Sequence, residues 1–283
     1  MLRRLALILC AVTPLAPISA ETVSAGTVPA PLPGGLRQGV AGRVARVVDG
    51  DTLILDDGDA VRLIGIQAPR RPLGYPGTRP WRLASRAKAA LEALVLGRRV
   101  RLFYGGRRVD RYGRRLAQLV RDDGLWVQGA MLARGLARVY SFADNRAGVP
   151  DMLAIERTAR ARNLGLWADP YYRIRTVAEA ARSVGGFQIV EGTVRVATEV
   201  RGRLYLNFGD DWRTDFTILI DKRARRAFTW PWRSPGELDG RRIRVRGWVK
   251  RWNGPMIEVD HPEQIEMLDP EIGQAVRASG AGQ

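Results

Sequence analysis

Three short segments hold most of the residues able to do chemistry. Asp49-Gly50-Asp51-Thr52 sets two carboxylates around a tight turn. Arg62 follows, then Gln67-Ala68-Pro69-Arg70, and Asp110-Arg111-Tyr112-Gly113-Arg114 closes the set. Arg62 and Arg114 can each offer bidentate hydrogen bonds to phosphate oxygens, which suits them to a phosphodiester. Arg70 and Arg71 extend that anion grip, with Arg79 and Arg82 further along the same loop. A guanidinium stays protonated and has no acceptor, so Arg70 cannot take a proton from water. No acidic residue lies between Ala60 and Leu91, so this stretch holds no carboxylate. Asp49 reads as a turn aspartate bonded to nearby backbone. His261, the single histidine, stands beside Pro262 and reads as a turn residue, leaving no Ser-His-Asp arrangement or histidine metal cluster.

The elements that must position these residues are legible as patterns. Strand-like runs cover Arg43 to Val48, Thr52 to Leu55 and Val61 to Ile66, the last two joined by the turn Asp56-Asp57-Gly58-Asp59. Leu83 to Leu96 has helical spacing and stops at Gly97. Arg99 to Tyr104 and Leu116 to Arg121 are further strands; Trp126 to Leu136 and Pro150 to Leu164 are two more helices. Five strands and three helices in this order predict an α+β fold: an OB-type barrel with helices packed on it. After a joining segment, residues 169–186, strand runs predict a second, smaller OB-like barrel over 187–268. Tight turns at Arg201-Gly202 and Asn253-Gly254 punctuate it. Trp230, Trp232, Trp248 and Trp252 interleave with Arg233, Arg246 and Arg251 there. That mixture can stack bases, but packing in a small disulfide-free barrel is the simpler expectation.

From Gly42 to Trp167 the chain resembles the staphylococcal nuclease (thermonuclease) family, on the three segments above together with the helix Val127 to Leu136 and the closing Asn163-Leu164-Gly165-Leu166-Trp167. The resemblance implies a nucleic-acid phosphodiesterase with a Ca²⁺ ion held by two aspartates and a backbone carbonyl. It also implies two arginines on the scissile phosphate and a glutamate as general base. Asp51 matches the first metal aspartate; Arg62 and Arg114 match the phosphate arginines. Ala68 matches the carbonyl ligand, while Gln67 replaces the second metal aspartate and Arg70 replaces the general base. Ca²⁺ affinity rises with carboxylate count, so Gln67 weakens the implied site. The expectation is therefore a protein that binds DNA or RNA with hydrolysis lost or impaired. The alternatives are an active endonuclease with rearranged ligands, using Asp49 or Asp110, and a non-catalytic envelope interaction protein.

Composition bounds the rest. The net charge is +17, carried almost wholly by arginine and concentrated in the first predicted domain, 42–168. Such a surface attracts polyanions. Arg3-Arg4, an apolar centre from Leu5 to Cys10 and the small-residue end Ile18-Ser19-Ala20 predict a signal peptide over 1–20. Its run is too short to span a bilayer, so the expected product is secreted or periplasmic without membrane insertion. Cys10 is the one cysteine, so disulfides contribute nothing. Residues 21–41 read as a Pro/Gly-rich leader and 269–283 as a tail.

Overall fold

The computed structural model describes residues 31–70, 80–229 and 231–269. The expected signal segment, the first part of the leader, Arg71, Arg79, Trp230 and the tail beyond Asp269 lie outside those residues.

A closed barrel is formed by β1 (Arg37–Asp49), β2 (Thr52–Leu55), β3 (Ala60–Leu63), β6 (Arg115–Arg121) and β5 (Arg99–Tyr104), in that spatial order. β1 pairs along its first half with β5 and along its second half with β2. Register shifts within it bend one strand enough to serve both neighbours. β1 starts at Arg37, so the leader expected to reach Ala41 ends sooner. Arg37 to Ala41 gain order from pairing with Tyr104 to Arg101, a partnership invisible in their own sequence.

The strand expected from Val61 to Ile66 is two strands. Gly65 adopts φ 87°, a conformation L side chains rarely tolerate. It diverts the chain from β3 into β4 (Gly65–Gln67), which leaves the barrel and pairs with β7 (Arg138–Tyr140). β3 and β6 run parallel with Val61 beside Arg115, placing the turn before β6 next to the start of β3. Three helices cover this barrel: α1 (Pro80–Val95), α2 (Val127–Ala133) and α3 (Val149–Ala161). α1 begins before the expected Leu83, and its buried stripe of Leu83, Ala87, Leu91, Leu94 and Val95 follows the expected spacing. α2 and α3 are shorter than their apolar patterns because Gly135 and Asn163 take left-handed φ of 62° and 51° beyond their ends.

The chain continues through β8 (Arg175–Thr176) into a fourth helix, α4 (Val177–Ala180), capped reciprocally by Thr176 and Glu179. The second sheet contains β9 (Phe187–Thr193), β10 (Val196–Val200), β11 (Arg203–Asn207), β12 (Thr217–Ile220), β13 (Arg242–Trp252), β14 (Gly254–Val259) and β15 (Ile265–Met267). Its order is β10-β11-β12-β14-β13-β9-β8, with β15 beside β13. β10, β11 and β12 are antiparallel neighbours; β12 and β14 are parallel; β13 returns antiparallel to β14 and β9. The steps from β10 to β13, two antiparallel, one parallel and one antiparallel, repeat those from β1 to β5. The first set closes into a barrel but the second is an open path, so the second barrel expected over 187–268 is not established. Each half has its own core, one centred on Leu53, Leu63, Leu102, Leu119 and Trp126, the other on Leu206, Ile218, Phe228, Val245 and Ile257. A smaller cluster of Leu83, Leu166, Trp167, Tyr172 and Ile189 joins them. Among the described residues no helix is long and apolar enough to cross a membrane.

Candidate nucleic-acid interface

The hairpin of β2 and β3 sets Thr52 opposite Arg62, which brings the Asp51 carboxylate over the Arg62 guanidinium. Gly50 makes the approach possible. A Cβ there would lie 2.6 Å from Ala68 Cβ and 2.7 Å from Ala87 Cβ, so the turn presses directly on the end of β4 and on α1. Asp51 is fully buried. Its Oδ2 accepts the Ala68 N–H at 2.7 Å; its Oδ1 meets Arg62 Nη1 at 3.1 Å and Arg70 Nη2 at 3.3 Å. Arg62 is held besides by the carbonyl oxygens of Asp51, Leu63 and Ile66 at 3.1, 2.9 and 2.8 Å. Asp49 accepts the Asp51 N–H at 3.0 Å, as a turn aspartate does.

Burial pushes the Asp51 carboxyl above its ordinary value, and the nearby Asp49 charge adds to this, against the pull of Arg62 and Arg70. Burial also lowers Arg62, opposed mainly by Asp51. Each partner is therefore an expensive charge that the other makes tolerable.

Gln67 lies elsewhere. Its register partner on β7 is Arg138, and its Oε1 accepts Arg138 Nε and Nη2 at 3.0 and 2.7 Å. Arg138 was not singled out by the sequence. It also donates to the Phe187 carbonyl at 3.1 Å and sits 4.4 Å over the Phe187 ring. The only signal for it was a lone arginine inside an apolar strand run.

These contacts decide whether the residues fit a Ca²⁺ ion, and they do not. The one carboxylate at the matching position already has both oxygens engaged, one of them by two guanidinium groups. The neutral oxygen of Gln67 is bound to a third. A hard cation wants 6–8 oxygen donors with uncompensated charge. Among the described residues no group of three or more acidic, histidine or cysteine side chains is placed to hold a metal.

Arg114 and Arg62 do come together, on the wall of a cavity of about 310 Å³ between the ends of β3 and β4 and the turn before β6. Arg107 and Arg111 line it as well, with Asp110 and Asp144 as the acidic members. Asp110 is occupied: it accepts Arg114 Nε at 2.8 Å and the backbone N–H groups of Tyr112 and Arg114. Burial opposes its charge, yet these bonds hold it below the usual carboxylate range. Tyr112 is exposed, and the guanidinium groups of Arg111 and Arg114 lie 4.8 and 5.5 Å over its ring. The result is an arginine-walled recess with one aspartate already neutralised. Arg82, in α1, is exposed.

A sequence model described as Staphylococcal nuclease homologue matches residues 60–169. Protein ParB of Escherichia coli is 35% identical over 141 residues, which cover 46% of this chain and 73% of that protein. An uncharacterized endonuclease of Escherichia coli O157:H7 is 35% identical over 133 residues, covering 46% of this chain and 78% of the relative. A thermonuclease of Staphylococcus intermedius is 33% identical over 128 residues, 44% and 74% of the two chains. The chain belongs to the staphylococcal nuclease family. The barrel seen here, with helices packed on it, is the fold that the family resemblance implied. This family member keeps Asp51, Arg62 and Arg114 in one place but joins Asp51 to arginines.

In the second half, Trp232 is buried in the core and Arg246 is fully buried, whereas Trp248 and Trp252 are exposed. Packing therefore explains some members of the tryptophan and arginine mixture and leaves others on the surface. The expectation that one histidine excludes a Ser-His-Asp arrangement is corrected. His261 is buried, its Nε2 lies 2.7 Å from Ser141 Oγ, and its Nδ1 bonds the Asp260 carboxylate. One histidine suffices once the fold returns the chain to Ser141. The trio ties the end of β7 to the segment after β14.

Proposed function

We propose that this protein binds nucleic-acid phosphodiesters in the recess walled by Arg62, Arg107, Arg111 and Arg114, without the metal-dependent hydrolysis of its family. The observation that carries the reading is the internal clamp on Asp51. Arg62 and Arg70 take the side of the carboxylate where a metal ion would need an open oxygen. Arg70 stands where the resemblance expects a general base and supplies a second fixed positive charge instead. What is left is a recess suited to an anionic backbone, since guanidinium groups match phosphate in charge and geometry. The sequence pattern of residues 1–20 supports an exported protein, either released or periplasmic.

Salt-dependent binding to DNA and RNA and a cleavage assay test this together. The full chain is expected to bind with a steep salt slope, because each phosphate contact releases counterions. Arg111→Ala and Arg114→Ala should each lower that slope by about one unit. Plasmid and single-stranded DNA should stay intact with Ca²⁺, Mg²⁺ or Mn²⁺. Robust metal-dependent cutting by the parent would overturn the loss of catalysis. Binding indifferent to both salt and the arginine substitutions would overturn the nucleic-acid reading.

A further inference from the structure

We infer that a row of aromatic side chains on the second sheet is a stacking platform for the bases of a single strand whose phosphates lie in the arginine recess. The inference rests on the nucleic-acid reading above and names the form of the ligand.

Strand alternation puts Trp248, Lys250 and Trp252 on one face of β13, opposite the buried Val249. All three are exposed, Trp252 at 71% and Trp248 at 47%. Indoles left in water when a core is available call for a partner. A second cavity of about 310 Å³ opens at the foot of this row, lined by Tyr140, Phe142, Phe187, Trp248 and Lys250 among others. Phe142 also lines the arginine recess, so the two cavities adjoin at this residue.

The aromatic end is preorganised. Trp248 Nε1 donates to Tyr140 Oη at 3.1 Å, and the Tyr140 ring packs edge-on to Phe142 at 4.9 Å and tilted against Phe187 at 4.9 Å. Little side-chain freedom remains to be lost on binding. Charge does not carry this end: Lys250 Nζ is paired with Glu258 at 2.7 Å, and Asp260, the other charged residue of the lining, is acidic and bonded to His261. A surface that offers π-faces and little net charge selects exposed bases over a phosphate backbone. In a duplex those faces are hidden by stacking, whereas a single strand presents them. At about 3.3 Å per residue, Trp248 and Trp252 stand about 13 Å apart along β13, so each receives a different base.

The test uses the full chain and three labelled probes of about 16 nucleotides: oligothymidylate, an abasic strand of equal length, and a duplex. Anisotropy should show the parent favouring oligothymidylate over both others, with quenching of tryptophan fluorescence. Trp252→Ala, at a site too exposed to affect folding, and the double variant with Trp248→Ala should weaken oligothymidylate binding, the double variant by roughly tenfold or more. Neither should change abasic-strand affinity. Arg107→Ala with Arg111→Ala should weaken both strands alike. Equal parent affinity for the abasic strand or the duplex, or a preference that survives in the double variant, would overturn the platform while leaving the phosphate reading intact. If the parent binds none of the probes, the phosphate reading fails and takes the platform with it.

Discussion

A buried aspartate between two guanidinium groups is a structural element before it is anything else. Asp51 satisfies the Ala68 N–H and balances Arg62, whose Nη atoms also bond carbonyl oxygens. Here Asp51→Ala is expected to cost about 3–5 kcal/mol, the penalty of stranding a buried charge. Asp51→Asn, which also removes the charge and sets an NH2 donor against one of the donors that Asp51 now accepts, should cost a comparable amount. Denaturant unfolding at neutral pH measures both, and an Asp51→Ala variant as stable as the parent would refute the structural role. The residue types here were readable in the sequence, and so was the incapacity of Arg70 as a base. What could not be read was direction: Gln67 stands next to Ala68, whose N–H bonds Asp51, yet its side chain faces Arg138, 71 residues away.

At the scale of elements, one glycine decides which side chains meet. The run Val61 to Ile66 has the composition of one strand, and only the left-handed φ of Gly65 splits it. The split frees the Ile66 carbonyl to hold Arg62 and lets Gln67 pair on β7. Gly65→Ala should destabilise by about 1–2 kcal/mol from backbone strain alone. It should cost more in total, because the new Cβ would sit 2.6 Å from Met152 Sδ. Gly58→Ala is the control: Gly58 has the same sign of φ, 88°, and nothing within 4 Å of the added carbon. Equal losses for the two variants, read from chemical denaturation midpoints, would show that the packing against α3 does not matter. The first strand illustrates the opposite limit. Arg37 to Ala41 carry no strong strand signal and become β-structure because β5 offers them a ladder.

Across the whole molecule, the halves are locked by a buried ionic network. Glu156 of α3 accepts the Val139 N–H at 2.6 Å and both Nη atoms of Arg246 on β13, at 3.1 and 2.9 Å. Glu266 on β15 takes Arg246 at 3.0 Å and Arg157 at 3.2 Å. Burial opposes the charge on Arg246, but Glu156 and Glu266 outweigh it and hold its pKa up. For Glu266, burial raises the pKa and is outweighed by Arg246, Arg244 and Arg160, so its folded value lies below the ordinary 4.5. A lowered folded pKa gives stability that is fully present above the unfolded value and is lost as pH falls through the folded one. Thermal melts should therefore show the parent losing stability below about pH 4.5. Glu266→Gln should melt lower than the parent at pH 7 and lose less across that acid window. An unchanged acid slope in Glu266→Gln would remove Glu266 from the network's pH response.

By itself the sequence determined the family, the first barrel with its helices, the strand runs of the second half and the chemical identity of the altered positions. All of these follow from short-range periodicity, turn residues and side-chain chemistry. The tertiary structure alone decided that Asp51 is clamped by Arg62 and Arg70, that Gln67 belongs to Arg138, that His261 reaches Ser141, and that Arg246 is buried while Trp248 and Trp252 are not. Those outcomes depend on which segments meet across more than a hundred residues in some cases. A buried charge takes whatever partner the fold brings to it, and sequence spacing carries no record of that choice.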